Sequence, residues 1–222
     1  MKKQKKITQY DYERESKPFE KYVIKADEKM DADYAVIHLD GVGVTKNFFN
    51  KMTEEEQEIF FSCLIQAAKR LCERHHLMAK IAYACNDEIS LLLYGNEYGN
   101  RIQKIVSIYA AEATLWLNQE LRGIQCIEGA LKDLQEHGCV FAAKCYNIPK
   151  RLIEKYFLWR QLSCKKSVFD KKLDFEQQRP WRKWGGLIVR NENSWTDKII
   201  NLTQFQIIKN VETNYFCIVK KK

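Results

Sequence analysis

Two apolar runs, residues 79–85 (AKIAYAC) and 89–94 (ISLLLY), flank the polar trio Asn86, Asp87 and Glu88. Runs of this length around a turn-forming Asn-Asp predict a tight β-hairpin. Both are nearly continuous in apolar residues, which predicts strands buried on both faces. A third run, 34–39 (YAVIHL), closes on Asp40-Gly41-Val42-Gly43. A carboxylate therefore ends a strand, followed by glycines that let backbone approach a ligand. Residues 53–76 carry a helical pattern, with Thr53 as N-cap, Glu56 as capping-box partner, and Ile59, Phe60, Cys63, Leu64, Ala67 and Leu71 as the apolar stripe. A second helix is predicted over 100–121, with Ile102, Ile105, Val106, Tyr109, Ala113 and Leu117 inward. A fourth strand runs over 138–146, stopped by Pro149. Residues 20–30 read as a weakly helical lead-in, and 185–190 and 203–208 as short strands of a small appended sheet.

The order strand–helix–strand–strand–helix–strand predicts an α+β chain with a ferredoxin-like palm domain, an antiparallel βαββαβ sheet with helices on one face. The division is a basic N-terminal arm over 1–17, the palm over 18–150 and a helical and small-sheet extension over 151–222. In that topology the first and third strands are neighbours, so Asp40 lies beside the Asn86–Glu88 turn. Taken alone, an Asp-Glu pair is offset by a cation, a shared proton or plain water. Three carboxylates converging from two elements point instead to a site for one or two Mg²⁺ ions, which take carboxylate and backbone oxygens and leave room for phosphate. Two such ions activate an attacking hydroxyl and stabilise a leaving oxygen in nucleotidyl transfer, the palm chemistry of polymerases and nucleotidyl cyclases.

Composition narrows the setting. The 222 residues are 45% hydrophobic and 30% charged, enough for a real core and too polar for a membrane protein. No apolar run approaches the ~20 residues that span a bilayer, and the N-terminus lacks an apolar signal region, so a cytoplasmic protein is expected. The net charge of +8 and pI ≈ 9.0 suit a polyanionic partner, nucleic acid first. Eight cysteines without a CxxC pair read as buried small hydrophobes in a reducing compartment rather than a zinc site. His75 and His76 close a helix and read as structural. Beyond about residue 161, Lys165, Lys166, Lys171, Lys172, Arg179, Arg182 and Lys183 are interleaved with Trp181 and Trp184. That mixture suits RNA through stacking and phosphate contact; the other reading has the tryptophans packing on the domain and the lysines in solvent.

These residues resemble the tRNA-His guanylyltransferase family, including its 3′–5′ polymerase-like members, from about residue 19 to 189. The likeness rests on Leu39-Asp40-Gly41-Val42-Gly43 with Lys46, on Asn86-Asp87-Glu88, on Arg101-x-x-Lys104-Ile105-x-Ser107, and on Tyr156-Phe157-x-Trp159-Arg160-Gln161. It implies that Asp40, Asp87 and Glu88 are the catalytic carboxylates and hold two Mg²⁺ ions with the Gly41 carbonyl. It further implies that Lys46, Arg101, Lys104 and Ser107 contact nucleotide phosphates. Arg101 and Lys104 share a helix face near an N-terminal turn, which suits phosphate as well as a plain solvated basic face. The implied substrates are GTP, ATP or another nucleoside triphosphate and the 5′ end of tRNA or a related RNA, with a homo-oligomer, a tetramer, as the assembly.

Two stretches depart from the family's pattern. After Trp-Arg-Gln the family carries an Asp, then a His-containing, Asn-rich run; here Ser163 takes the Asp position, and Lys165, Ser167 and Val168 take the His and Asn positions. A Phe-Asp-x-Arg element appears as Phe141-Ala142-Ala143-Lys144. Three functions stay open on the sequence: nucleotide addition at an RNA 5′ end, a palm-type cyclase or oligonucleotide synthase, and a weakly catalytic RNA-binding relative.

Overall fold

The computed structural model describes residues 33–95, 98–126, 128–191, 194–209 and 216–221; the N-terminal arm and the lead-in over 20–30 lie outside them. Strands β1 (Tyr34–Gly41), β2 (Ala79–Cys85), β3 (Glu88–Tyr94) and β4 (Phe141–Asn147) form the palm sheet, in the order β4-β1-β3-β2. Every pairing in it is antiparallel, and β1 and β3 are adjacent as the topology predicts.

Helices α1 (Val44–Asn47) and α2 (Glu54–Arg74) follow β1, and α3 (Ile102–Arg122) with α4 (Ala130–His137) follows β3. The α2 start is fixed by the capping box read from sequence: the Glu56 amide donates to Thr53 Oγ1 at 3.2 Å and the Thr53 amide to Glu56 Oε2 at 2.7 Å. Because side chains alternate across a strand, Ala35, Ile37, Leu39, Ile89, Leu91 and Leu93 pack with α2 and α3 in one buried cluster. Tyr34, Val36, Ile81, Tyr83, Cys85 and Leu92 point the other way. That second face is covered by α5 (Ile153–Asp170), whose Tyr156, Phe157, Trp159, Arg160 and Cys164 are buried against it. Hence the strands are buried on both sides.

The C-terminal part differs from expectation. Strand β5 (Gly186–Asn191) adds to the edge of β2, and β6 (Ser194–Lys198) pairs with β5, giving one six-stranded sheet. Only β7 (Phe205–Lys209) and β8 (Phe216–Lys220) form a separate two-stranded sheet. The exposed edge of the buried β2 strand needs hydrogen-bond partners, and β5 supplies them. Gln161 then pins the segment, donating to the carbonyls of Trp184 at 2.9 Å and Ile200 at 2.8 Å and accepting from the Leu202 amide at 2.8 Å. Short α6 (Pro180–Trp184) buries Trp181, which stacks on Phe61 at 5.2 Å.

The cysteines are unbridged and mostly buried; burial pushes the Cys63 thiol up to about 11 and those of Cys139 and Cys145 to about 12. No helix among the described residues is long and apolar enough to cross a membrane.

Candidate active site

The end of the β1–β3 pair is where chemistry gathers. Asp40, the penultimate residue of β1, stands opposite Glu88, the first residue of β3, so their side chains share a face. Between β2 and β3 the two-residue turn Asn86-Asp87 has Asn86 at φ 52°, a left-handed conformation that Asn tolerates. The turn is tied to β1 by the Gly41 amide, which donates to the Asp87 carbonyl at 3.0 Å. Gly41 has no room for a side chain there: a Cβ would lie 2.9 Å from Val44 Cγ2 and 3.2 Å from that same carbonyl. The close approach brings α1 against the turn, and the Thr45 amide donates to Asp87 Oδ2 at 2.9 Å.

Asp40, Gly41, Asp87 and Glu88 line a cleft of about 490 Å³ together with Thr45, Lys46, Phe49 and Asn50 from the α1 side and Ser167, Asp170 and the capping residue Lys171 from the end of α5. Burial, with the fields of Glu88 and Asp40, pushes the Asp87 carboxyl up to about 6 against the Thr45 hydrogen bonds. Asp40 is raised as well, by partial burial and then by Glu88, with Arg160 and Lys144 opposing. Glu88 goes the other way. Burial alone would raise it, but the Arg160 guanidinium, helped by His38 and the Cys85 thiol, holds its carboxyl below the usual range.

Glu88 is therefore engaged inside the protein. Arg160 donates to its Oε2, and His38 Nε2 lies 3.8 Å from its Oε1. His38 is a neutral imidazole, driven down to about 4 by burial and by Arg160. Its Nδ1 is 3.2 Å from Ser90 Oγ, which in turn lies 3.1 Å from the Tyr156 hydroxyl. Among the described residues no three of His, Cys, Asp and Glu gather closely enough to hold an ion between them. Glu88 and Asp170 also line the cleft but are paired with Arg160 and Lys166, which leaves two hard oxygen donors without an ion-pair partner there, Asp40 and Asp87, each with a raised carboxyl. A divalent cation relieves that repulsion and completes its shell with backbone and phosphate oxygens, so the donor set fits Mg²⁺.

Of the predicted phosphate contacts, the structure brings Lys46 into the cleft. Arg101, Lys104 and Ser107 sit together at the start of α3, exposed, and do not line it. There Arg101 Nε donates to the Tyr98 carbonyl at 3.2 Å, Lys104 Nζ lies 5.3 Å from the Tyr98 ring centre, and Ser107 Oγ donates to the Lys104 carbonyl at 3.0 Å. The C-terminal cations are mostly engaged with the protein. Lys165 Nζ lies 4.5 Å over the Trp184 ring, Lys166 pairs with Asp170, Arg179 with Glu54 and Glu58, and Arg182 donates to Gln57. The packing alternative thus holds for Trp181. Ser163, at the family's Asp position, is buried.

Four residues have a role at the site that the sequence reading did not give them: His38, Thr45, Arg160, quoted there only within a motif, and Lys171, read there only as one of the C-terminal cations. Two left a signal. His38 precedes Asp40 by two in a strand, which puts both on one face, and Arg160 follows Tyr156 by four on a helix. Thr45 acts through its contact with the Asp87 turn, and Lys171 through the place where α5 ends, and neither role is visible in a pattern.

A family profile described as tRNAHis guanylyltransferase (Thg1) matches residues 13–149. That span holds the carboxylate floor of the cleft and stops before its α5 wall. The fold resembles a bacterial Thg1-like protein solved in complex with GTP, with TM-score 0.63 and 22% identity over 85% of this chain and 91% of that one. A bacterial Thg1-like protein in complex with ATP gives 0.60 and 20% over 84% and 91%. The guanylyltransferase of Saccharomyces cerevisiae gives 0.58 and 14% over 82% and 95%. No curated protein sequence matches the chain.

Proposed function

The chain belongs to the tRNAHis guanylyltransferase family, a family of nucleotidyltransferases, and from that premise we propose a metal-dependent enzyme that adds nucleotides in the 3′–5′ direction to the 5′ end of tRNA or a related RNA. The observation that carries this reading is the pair Asp40 and Asp87, delivered by two neighbouring strand ends into one cleft with raised carboxyls. Asp40 and Asp87, with the Gly41 backbone and Glu88 beside them, would hold two Mg²⁺ ions. Bound there, the ions supply charge neutralisation for the attacking 3′-hydroxyl and for the departing pyrophosphate.

The chain's own groups bind and orient. Lys46 contacts phosphate from α1, while Arg101, Lys104 and Ser107 offer a second anion-binding face at the start of α3. Glu88, paired with Arg160, holds α5 against the sheet and keeps the floor in shape. The nucleotide is GTP, ATP or a related triphosphate, the class bound by the two bacterial neighbours. The 3′-hydroxyl of that nucleotide attacks the α-phosphorus of a 5′-triphosphate end, one P–O bond forms, and the bond to pyrophosphate breaks. A 5′-monophosphate must first be adenylylated, a demand on the altered stretch around Ser163 and Lys165–Asp170, so already activated ends are the better substrate. The working assembly is a homo-oligomer, a tetramer by the family resemblance, in the cytoplasm.

The test incubates the full chain with labelled nucleoside triphosphates and Mg²⁺, with and without a truncated tRNA bearing a 5′-triphosphate or a 5′-monophosphate. Extension of the triphosphate end above the monophosphate end supports the proposal. Product without RNA turns it into a cyclase or oligonucleotide synthase, and RNA binding without product into a binding relative. Light scattering of the same sample reads the assembly.

A further inference from the structure

The cleft holds a cation that the family likeness does not supply. Lys171, the residue that caps the C-terminus of α5, lines the wall facing the carboxylate floor, beyond the matched residues 13–149. Its Nζ lies 5.3 Å from the ring centre of Phe49, a buried cleft residue, so the stem is steadied from the α1 side. Partial burial and then the field of Arg182 lower the Lys171 ammonium, and the field of Asp87 opposes them.

The charge balance says what such a cleft receives. Glu88 is answered by Arg160, and Asp170 by Lys166. That leaves Asp40 and Asp87 against Lys46 and Lys171, neither of which is held in an ion pair among the described residues. Two carboxylates and two ammonium groups are near electrical balance, and a divalent cation on the carboxylates makes the cleft positive. A positive cleft walled by two uncommitted lysines suits an extended anion, and one lysine on each side fits a chain of phosphates better than a single one.

We propose that Lys171 is a phosphate-binding residue of this cleft, receiving with Lys46 the polyphosphate of a nucleoside triphosphate or of an RNA 5′-triphosphate end. The inference rests on reading the cleft as the nucleotide site and names the group that meets the ligand's charge. A lysine at a helix C-terminus also meets the helix dipole. Lys172 shares that end of α5 without lining the cleft, and so separates the two effects.

The experiment is calorimetric titration of the full chain with magnesium tripolyphosphate at about 0.15 M salt, where remote surface charges are screened. Lys171→Ala weakens binding by about tenfold, the worth of one charge-assisted hydrogen bond; Lys171→Arg keeps most of it, and Lys172→Ala leaves it unchanged. Thermal unfolding of each variant checks that the fold is kept. Equal affinity in wild type and Lys171→Ala overturns the proposal, as does an equal loss in Lys172→Ala. Two further arms, GTP and an RNA oligonucleotide with a 5′-triphosphate or a 5′-monophosphate, tell the sources apart. A loss confined to GTP puts Lys171 on the incoming nucleotide, and lost discrimination between the RNA ends puts it on the acceptor; either upholds the proposal. Lys171-dependent tripolyphosphate binding by a chain that transfers no nucleotide overturns the functional reading and upholds this one.

Discussion

Asp87 and Glu88 are consecutive, yet they serve two different regions. Asp87 turns toward α1 and the open cleft, where its hydrogen-bond partner is the uncharged Thr45 and its carboxyl is driven up to about 6. Glu88 turns toward α5, where a guanidinium meets it and its carboxyl is held down. In the function proposed above the two carboxylates, driven apart by their environments, take different roles, the raised one toward a cation and the lowered one toward Arg160. On the cleft side the protein leaves repulsion standing; on the α5 side it removes it.

The largest effect should come from the cleft side. Asp40→Asn or Asp87→Asn is expected to lower nucleotidyl transfer by roughly a thousandfold or more, the order of several kcal/mol that a bound metal contributes to a transition state. The folded chain should be as stable as wild type or more so without metal, because a repelling charge is gone. Single-turnover rates and denaturant unfolding read both halves. Near wild-type turnover in both variants would falsify the cation assignment.

The α5 side should behave in reverse. Glu88→Ala leaves Arg160 as a buried, uncompensated charge, and Arg160→Ala does the same to Glu88, each costing about 3–5 kcal/mol of stability. The double replacement Glu88→Met with Arg160→Met should recover most of that loss, since apolar groups of similar size need no compensation. If the single variants unfold at the wild-type denaturant midpoint, the pair does not hold α5 to the sheet.

The two carboxyls also give opposite pH slopes in the presence of a chelator. A carboxyl raised in the folded state binds its proton more tightly there than in the unfolded chain. Asp87 thus adds stability at low pH and loses it as pH rises from about 4 through about 6, a change on the order of 2–3 kcal/mol. Glu88, held down, contributes stability above its ordinary range that is lost as pH falls below it. Unfolding curves between pH 4 and 7 should show the Asp87 slope in wild type and a flattened one in Asp87→Asn. An unchanged slope in that variant removes Asp87 as its source.

Much of the cleft side was legible in the sequence. The turn between two apolar runs, the Asp-Gly closing β1 and the capping box of α2 are local signals, and the split βαβ order put Asp40 beside the turn. The α5 side was less so, because Glu88 and Arg160 are 72 residues apart and meet only through tertiary packing. Strand β5 was expected in a separate sheet, since a six-residue apolar run does not say which edge it joins. Helix α4 lies in a short stretch after α3 and was not predicted at all. The cleft thus has a floor set by strand register, readable as alternation, and a wall set by where a helix ends, which no periodicity records.

The smallest expected effect bears on that wall. Residues 165 and 166 read from sequence as RNA-contacting lysines, since cations next to aromatics suit a phosphate backbone. In the structure Lys165 lies half-buried over Trp184 and is lowered by that burial, and Lys166 is paired with Asp170. A lysine already engaged releases few counterions from RNA, whereas two direct phosphate contacts would lower the salt slope of binding by about 1.4–1.8. Replacing both by alanine should therefore change the slope of log affinity against log salt by well under 1. Lys171, which lines the cleft, should change nucleotide affinity more than the pair changes RNA affinity. A filter-binding series from about 50 to 200 mM salt with a tRNA ligand reads the slope directly. A drop near the full value in the double variant would mean that these side chains leave Trp184 and Asp170 for the RNA, and that the α5 side opens when substrate binds.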